Sequence, residues 1–144
     1  MKVVLIQGAF DILNVGHIRA FKLAKQQGDY LIVALNSNEL IKDYKKRDAV
    51  MPWHQKMEII KAVRYVDMVI PAYEFSPLAL LKQYNIDVYM VAPEWEHTKA
   101  KEIAFMKKKG GKVCFTKRYS GVSTTNIKRK LLKEHLNGGH ASPA

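Results

Sequence analysis

The sequence predicts a doubly wound α/β domain: a five-stranded parallel sheet with helices on both faces. Two observations carry that expectation. Short runs rich in Val, Ile, Leu and Tyr, punctuated like buried strands, alternate with stretches of helical periodicity along the whole chain. The 144 residues are 48% hydrophobic and 26% charged, the make-up of one compact domain able to bury a core without a metal or disulfide.

The elements follow in order. Strands are expected over residues 2–7, 30–36, 67–71, 88–92 and 112–116. Ile18, Phe21, Leu23 and Ala24 recur at helical spacing before Gly28, which can stop that helix, and Met57, Ile60, Ala62 and Val63 form a second stripe. Ser76-Pro77 reads as a cap followed by a proline at the first helical position, opening a helix over 78–84. Further helices are expected over 99–109 and 123–136. Right-handed crossovers then connect parallel strands. With no repeat or linker visible, residues 1–136 form the domain, and 137–144, which lack an apolar pattern, are expected as a disordered tail.

Composition excludes several classes. No apolar run approaches the ~20 residues that span a bilayer, and the strand-like Val3-Val4-Leu5-Ile6 leaves no room for a cleavable signal. Cys114 is the one cysteine, so an internal disulfide is impossible and a reducing, cytoplasmic compartment is expected, with Cys114 as a small buried hydrophobe. Against 13 acidic residues stand 24 basic ones, a net charge of +11 that favours phosphorylated partners. The densest basic runs, Lys107-Lys108-Lys109-Gly110-Gly111-Lys112 and Lys128-Arg129-Lys130, read as solvated faces, and the lack of interleaved aromatics disfavours nucleic acid. His54, His97, His135 and His140 have no metal-site spacing.

Candidate chemistry begins after the first strand, where Gly8-Ala9-Phe10-Asp11-Ile12-Leu13-Asn14-Val15-Gly16-His17 runs into a helix. A glycine there lets backbone approach a phosphate, and helix amides point at an anion. His17 would face that anion from the first turn, and Asn14 is spaced to share its pocket. The competing reading is a plain turn glycine and a surface histidine. Ala92-Pro93-Glu94-Trp95 after the fourth strand, and residues 118–125 after the fifth, lie where an open α/β sheet binds ligands, so the three segments can converge. Helix capping explains one of Ser123, Thr124 and Thr125; beside exposed amides the others suit phosphate. Arg118 could clamp phosphate or stand solvated in its loop, and Trp95 could stack on a base or simply pack.

The first of these segments resembles the G-[TS]-F-D-x-L-H-x-G-H signature of the cytidylyltransferase-like nucleotidyltransferases, and Gly121-Val122-Ser123-Thr124-Thr125 resembles their second, [RK]-x-x-G-[IV]-S-T-T. The likeness covers about residues 2–130 and is most similar to the branch acting on glycerol 3-phosphate. It implies a Rossmann-like nucleotidyltransferase fold, a homodimer, and transfer of CMP from CTP to glycerol 3-phosphate or a similar small polyol phosphate, with Mg²⁺ bound to the triphosphate and pyrophosphate released. It further implies that His17 and Asn14 act at the α-phosphate, and that Lys46, or its neighbour Lys45, approaches from a flexible loop. Arg118, Ser123, Thr124 and Thr125 would hold the outer phosphates. Gly8, Ala9, Phe10, Gly16, Glu94 and Trp95 would contact the nucleotide, with Asp11 and Arg64 at the acceptor. The same superfamily includes adenylyltransferases using ATP on a sugar phosphate or FMN, which is the alternative enzyme; a catalytically weakened nucleotide-binding protein is the other.

The chain also departs from the pattern. Asn14 stands where the family has its first histidine, and Ala92-Pro93-Glu94-Trp95-Glu96-His97-Thr98-Lys99 stands where cytidylyltransferases carry G-D-D-W-x-G-K. Lys56 replaces an arginine, and Ser120 a glutamate.

Overall fold

The computed structural model describes residues 1–117 and 124–137. In chain order it contains β1 (Val3–Gly8), α1 (Val15–Lys25), β2 (Tyr30–Asn36), α2 (Asn38–Lys45), α3 (Trp53–Lys61), β3 (Met68–Ala72), α4 (Leu78–Gln83), β4 (Val88–Val91), a 3₁₀ turn (Pro93–Trp95), α5 (Ala100–Lys108), β5 (Lys112–Phe115) and α6 (Thr124–Leu136). The sheet order is β3-β2-β1-β4-β5 with every pairing parallel, so the doubly wound, Rossmann-like architecture is the one the sequence predicts.

Burial explains why these runs are strands. Every residue of β4 and all but the first of β2 are buried, whereas β3 and β5 are half exposed, as edge strands are. Pro71 is tolerated in β3 because that strand has one partner. Alternate side chains feed two cores. Val4, Ile6, Leu31 and Val33 meet Phe21 of α1 and Ile60 of α3 on one face. Leu5, Ile32 and Tyr89 meet Leu81 of α4 and Met106 of α5 on the other. Among the described residues no helix is long and apolar enough to cross a membrane.

Three local expectations need correction. Helix α2 was not foreseen: it has 8 residues, buries only Leu40 and Ile41, and starts on a Ser37 cap that accepts from the Leu40 N–H at 3.2 Å. The lysines expected on a flexible loop therefore sit at a helix end. Pro77 occupies the N-cap of α4 rather than its first turn, while Ser76 Oγ accepts from the Leu78 N–H at 3.3 Å. Gly28 does not terminate α1 through a left-handed conformation, since the helix ends in right-handed Gln26. Its role is close approach: a Cβ there would lie 2.7 Å from Val4 Cγ2 and 2.8 Å from the Lys2 carbonyl oxygen. The expected tail beyond residue 137 falls outside the described residues.

That crowding predicts that Gly28→Ala destabilises the fold by about 1–3 kcal/mol through overpacking against β1. Urea unfolding checks it, and an unchanged midpoint would show that this strand edge shifts freely.

Candidate active site

At the end of β1 the chain turns sharply. Phe10 (φ 45°) and Ile12 (φ 48°) adopt left-handed backbone, a strain of about 1 kcal/mol or more each that the surroundings must hold in place. The Phe10 ring folds back over Gly8, where a Cβ would stand 2.9 Å from Phe10 Cζ, so only glycine fits. Phe10 then packs edge-on against His17 and Phe21, at centroid distances of 5.5 and 5.0 Å.

Asp11, 3% exposed, secures the turn from below. Its carboxylate accepts the Val50 and Met51 backbone N–H groups at 2.8 and 3.0 Å and lies 3.7 Å from Lys128 Nζ of α6. Burial alone would raise its pKa, but those two N–H donors, with Lys56 and Lys128, outweigh it and hold the carboxyl below its ordinary value. One buried anion thus ties β1, the segment after α2, and α6 together. Lys56 is also buried and reaches the Ala9 carbonyl at 3.4 Å and Asn38 Oδ1 at 3.1 Å, so the lysine that replaces the family arginine braces the same turn.

Asn14 is the N-cap of α1. Its Oδ1 accepts from Gly16 at 2.9 Å within a capping box whose other half is the His17 side chain, and its Nδ2 donates to the Ile12 carbonyl at 3.2 Å. The structure thus places the Asn14 amide at the start of α1, where it caps the helix, and His17 on the lining of the cleft. The Asn14 backbone N–H donates to His17 Nδ1 at 3.2 Å, which leaves the ring proton on Nε2. Burial, reinforced by Lys45 and opposed by Asp11, lowers the His17 pKa from 6.5 to about 4. At neutral pH His17 is an uncharged donor.

Between the carboxyl ends of β1 and β4, where the strand order reverses, lies a cleft of about 320 Å³. Gly8, Ala9, Phe10, Asp11 and His17 line one side; Glu94, Trp95 and Lys99 line another. Tyr44, Phe75 and Trp95 form an aromatic wall with successive centroids 5.0 and 5.3 Å apart. Behind it Gln7 Nε2 donates to Asn36 Oδ1 at 2.9 Å, and Asn36 Nδ2 donates to the Tyr44 hydroxyl oxygen at 3.2 Å, leaving the phenol proton to donate elsewhere. Lys45 also lines the cleft, its pKa lowered by desolvation and then by Arg47 and Lys128, with Asp11 opposing.

Several expected residues lie elsewhere. Lys46 is the exposed left-handed cap of α2 and does not line the cleft; its neighbour Lys45 does. Arg64 lies in the turn before β3, at the edge where strands begin, opposite the cleft, with its guanidinium 5.6 Å from the Tyr65 ring centroid. Gly16 lies within the first turn of α1 and serves the cap. Thr124 opens α6 and Thr125 is exposed on it, while Arg118 and Ser123 fall outside the described residues. Lys128, grouped with the solvated basic runs, instead faces Asp11. Among the described residues no group of three His, Cys, Asp or Glu side chains could hold a metal. Gln7, Asn36, Tyr44 and Phe75 were not foreseen in the cleft. The sequence signal available for Gln7, Asn36 and Phe75 was their position at or just beyond the ends of β1, β2 and β3, whereas Tyr44 is carried by α2, which the sequence did not disclose.

The family model of cytidylyltransferase-like proteins matches residues 5–130, which takes in the whole cleft. The chain belongs to the cytidylyltransferase-like family. It is 35% identical over 132 residues to a glycerol-3-phosphate cytidylyltransferase of Staphylococcus aureus, covering 91% of this chain and 96% of that one. It is 41% identical over 93 residues to an FAD synthase of Pyrococcus abyssi, covering 63% and 62% respectively. A lipopolysaccharide core biosynthesis protein from Thermoplasma volcanium shares the fold, with a TM-score of 0.73 at 22% identity over 83% of this chain and 99% of that one. This cytidylyltransferase-like chain is accordingly a nucleotidyltransferase enzyme.

Because folding lowers the His17 pKa from 6.5 to about 4, the unfolded chain takes up the extra proton between those values. The stability owed to neutral His17 is fully present above pH 6.5 and is lost as pH falls through 4. A His17→Gln variant should therefore lose less stability than the parent between pH 7 and pH 4, measured by denaturant midpoints. Parallel curves would mean that the imidazole titrates normally.

Proposed function

We propose that the protein is a cytidylyltransferase that transfers CMP from CTP to glycerol 3-phosphate or a similar small polyol phosphate. The observation that carries the substrate is the end-to-end match to the Staphylococcus aureus glycerol-3-phosphate cytidylyltransferase, over 96% of that protein. An oxygen of the acceptor phosphate attacks the α-phosphorus of CTP, the bond from that phosphorus to the bridging oxygen of the β-phosphate breaks, and pyrophosphate leaves. Such transfers are driven by positioning and charge stabilisation.

The described residues suit that task. His17, neutral and protonated on Nε2, donates to oxygens that gain charge without repelling Lys45 beside it. Lys45 and Lys128 supply positive potential at the mouth of the site, and the start of α6 at Thr124 offers helix amides to the outer phosphates, with Arg118 and Ser123 on the preceding segment. Mg²⁺ belongs to the substrate, chelated by the triphosphate. The carboxylate on this side, Asp11, accepts the Val50 and Met51 N–H groups and so organises the turn at the edge of the cleft. We assign Glu94 and Trp95 to the base.

A second reading, adenylyl transfer to FMN, has its support in the identity to the FAD synthase and in the aromatic wall, which offers a flat ring a stacking surface. Pyrophosphate release and product mass, measured with CTP or ATP against glycerol 3-phosphate and FMN, separate the two. CTP with glycerol 3-phosphate should be the productive pair, and turnover only of ATP with FMN would replace the first reading by the second.

His17→Ala should lower kcat by about 10²–10³-fold, the scale for losing one preorganised donor. Because the same ring accepts the Asn14 N–H and packs against Phe10, the substitution should also cost about 0.5–2 kcal/mol of stability at pH 7, so kcat is compared on folded protein. A variant within about threefold of the parent would remove His17 from the mechanism.

A further inference from the structure

Lys99 is 7% exposed and lines the cleft from the start of α5, on the face of the sheet opposite α1. His17 and Lys99 therefore meet the cleft from the two sides of the sheet. The Lys99 ammonium donates to the Phe75 carbonyl and stands 3.4 Å from the centroid of the Phe75 ring. It makes no ion pair among the described residues. The acidic group that acts on it, Glu102, is 5% exposed, with Oε1 accepting from Ser76 Oγ at 2.5 Å and Oε2 buried without a hydrogen-bond partner among the described residues.

A lysine is rarely buried without an anion in contact. Here one carbonyl and one ring face leave N–H donors over, and the open side of the site is the cleft. Nucleotidyl transfer brings two phosphorylated reactants together. Lys45, beside His17, serves the triphosphate, whereas Arg64, expected at the acceptor, lies at the opposite edge of the sheet. Lys99 is the other cleft cation among the described residues.

We propose that Lys99 binds the phosphate monoester of the acceptor, and so selects phosphorylated acceptors over their neutral alcohols. The inference rests on the reading of the cleft as the nucleotidyl-transfer site, and deepens it. Lys99 would hold one phosphate oxygen on the α5 side of the cleft while another, left free, faces the α-phosphate on the His17 side. Phe75 keeps the ammonium dehydrated and aimed, and Glu102 keeps the pocket's charge balanced from behind.

The test uses inorganic phosphate as probe, since any phosphorylated acceptor shares its chemistry. The full chain is first saturated with Mg²⁺ and the non-transferable analogue α,β-methylene CTP, which fills the triphosphate subsite, and phosphate is then titrated calorimetrically. Parent protein should bind it. Lys99→Met should bind it at least tenfold more weakly with unchanged affinity for the analogue, which also reports that the variant is folded, and Lys99→Arg should recover most of the loss. In turnover, Lys99→Met should raise the acceptor KM by about 10–100-fold, the scale of one charge-assisted hydrogen bond, with the CTP KM unchanged. Equal phosphate binding by parent and Lys99→Met, or a loss confined to the CTP analogue, would overturn the proposal. The choice of CTP and glycerol 3-phosphate is decided separately by the product assay, so either idea can fail alone.

Discussion

The constraint on which the rest depends is the reversal of strand order at β1. The chain leaves β1 through α1 to reach β2 and β3 on one side, then returns through α4 to place β4 and β5 on the other. Right-handed crossovers then force α1 and α3 onto one face of the sheet and α4 and α5 onto the other. Among the described residues, the connections that leave β1 and β4 diverge and so open a gap at the carboxyl ends of these strands. The cleft is a consequence of topology. Its two walls belong to opposite helical layers, which is why a residue of α1 and one near α5 can face a common ligand.

On the β1 side of that opening, electrostatics is organised around the buried carboxylate of Asp11. Asp11 draws two backbone N–H groups and two lysines toward the β1 turn, and its charge makes a crowded set of cations tolerable there. His17 is kept neutral by burial and by Lys45, so it adds no further positive charge to a site that already repels itself. A polyanionic substrate relieves that repulsion on binding, and the net charge of +11 assists its approach. The same design recurs in weaker form at Lys99, whose partner anion, Glu102, stands behind rather than against it.

The strands were legible in the sequence because their apolar runs are continuous and short, and each observed strand falls within about two residues of its expected ends. Helix α2 was not, because two buried residues in 8 make no stripe and its stability comes from a serine cap. The turn from Gly8 to His17 was legible as a motif, whereas the division of labour inside it was not: spacing cannot tell a side chain that caps a helix from one that enters a pocket. Tyr44, Phe75 and Lys99 share no spacing at all. They meet because three different strands end at the same edge, and that is a fact of topology rather than of local pattern. Arg64 lies away from the cleft for the complementary reason, since residues that precede a parallel strand sit at the opposite edge of the sheet.

The departure at Asn14 can be understood on these terms. Asparagine is among the best N-cap residues, and histidine is not. In this chain the side chain at position 14 stabilises the start of α1, and the backbone N–H of the same residue sets the His17 tautomer by donating to Nδ1. Both effects come from one local geometry, the extended backbone of Asn14 at φ −140° and ψ 177°. A side chain that loosened this cap would also loosen the bond that keeps the proton on Nε2. The imidazole that remains is held by the Asn14 N–H at Nδ1 and by the Phe10 ring packed edge-on against it. The positive charge that a second imidazole could contribute is present instead on Lys45, at the end of a helix the sequence did not disclose.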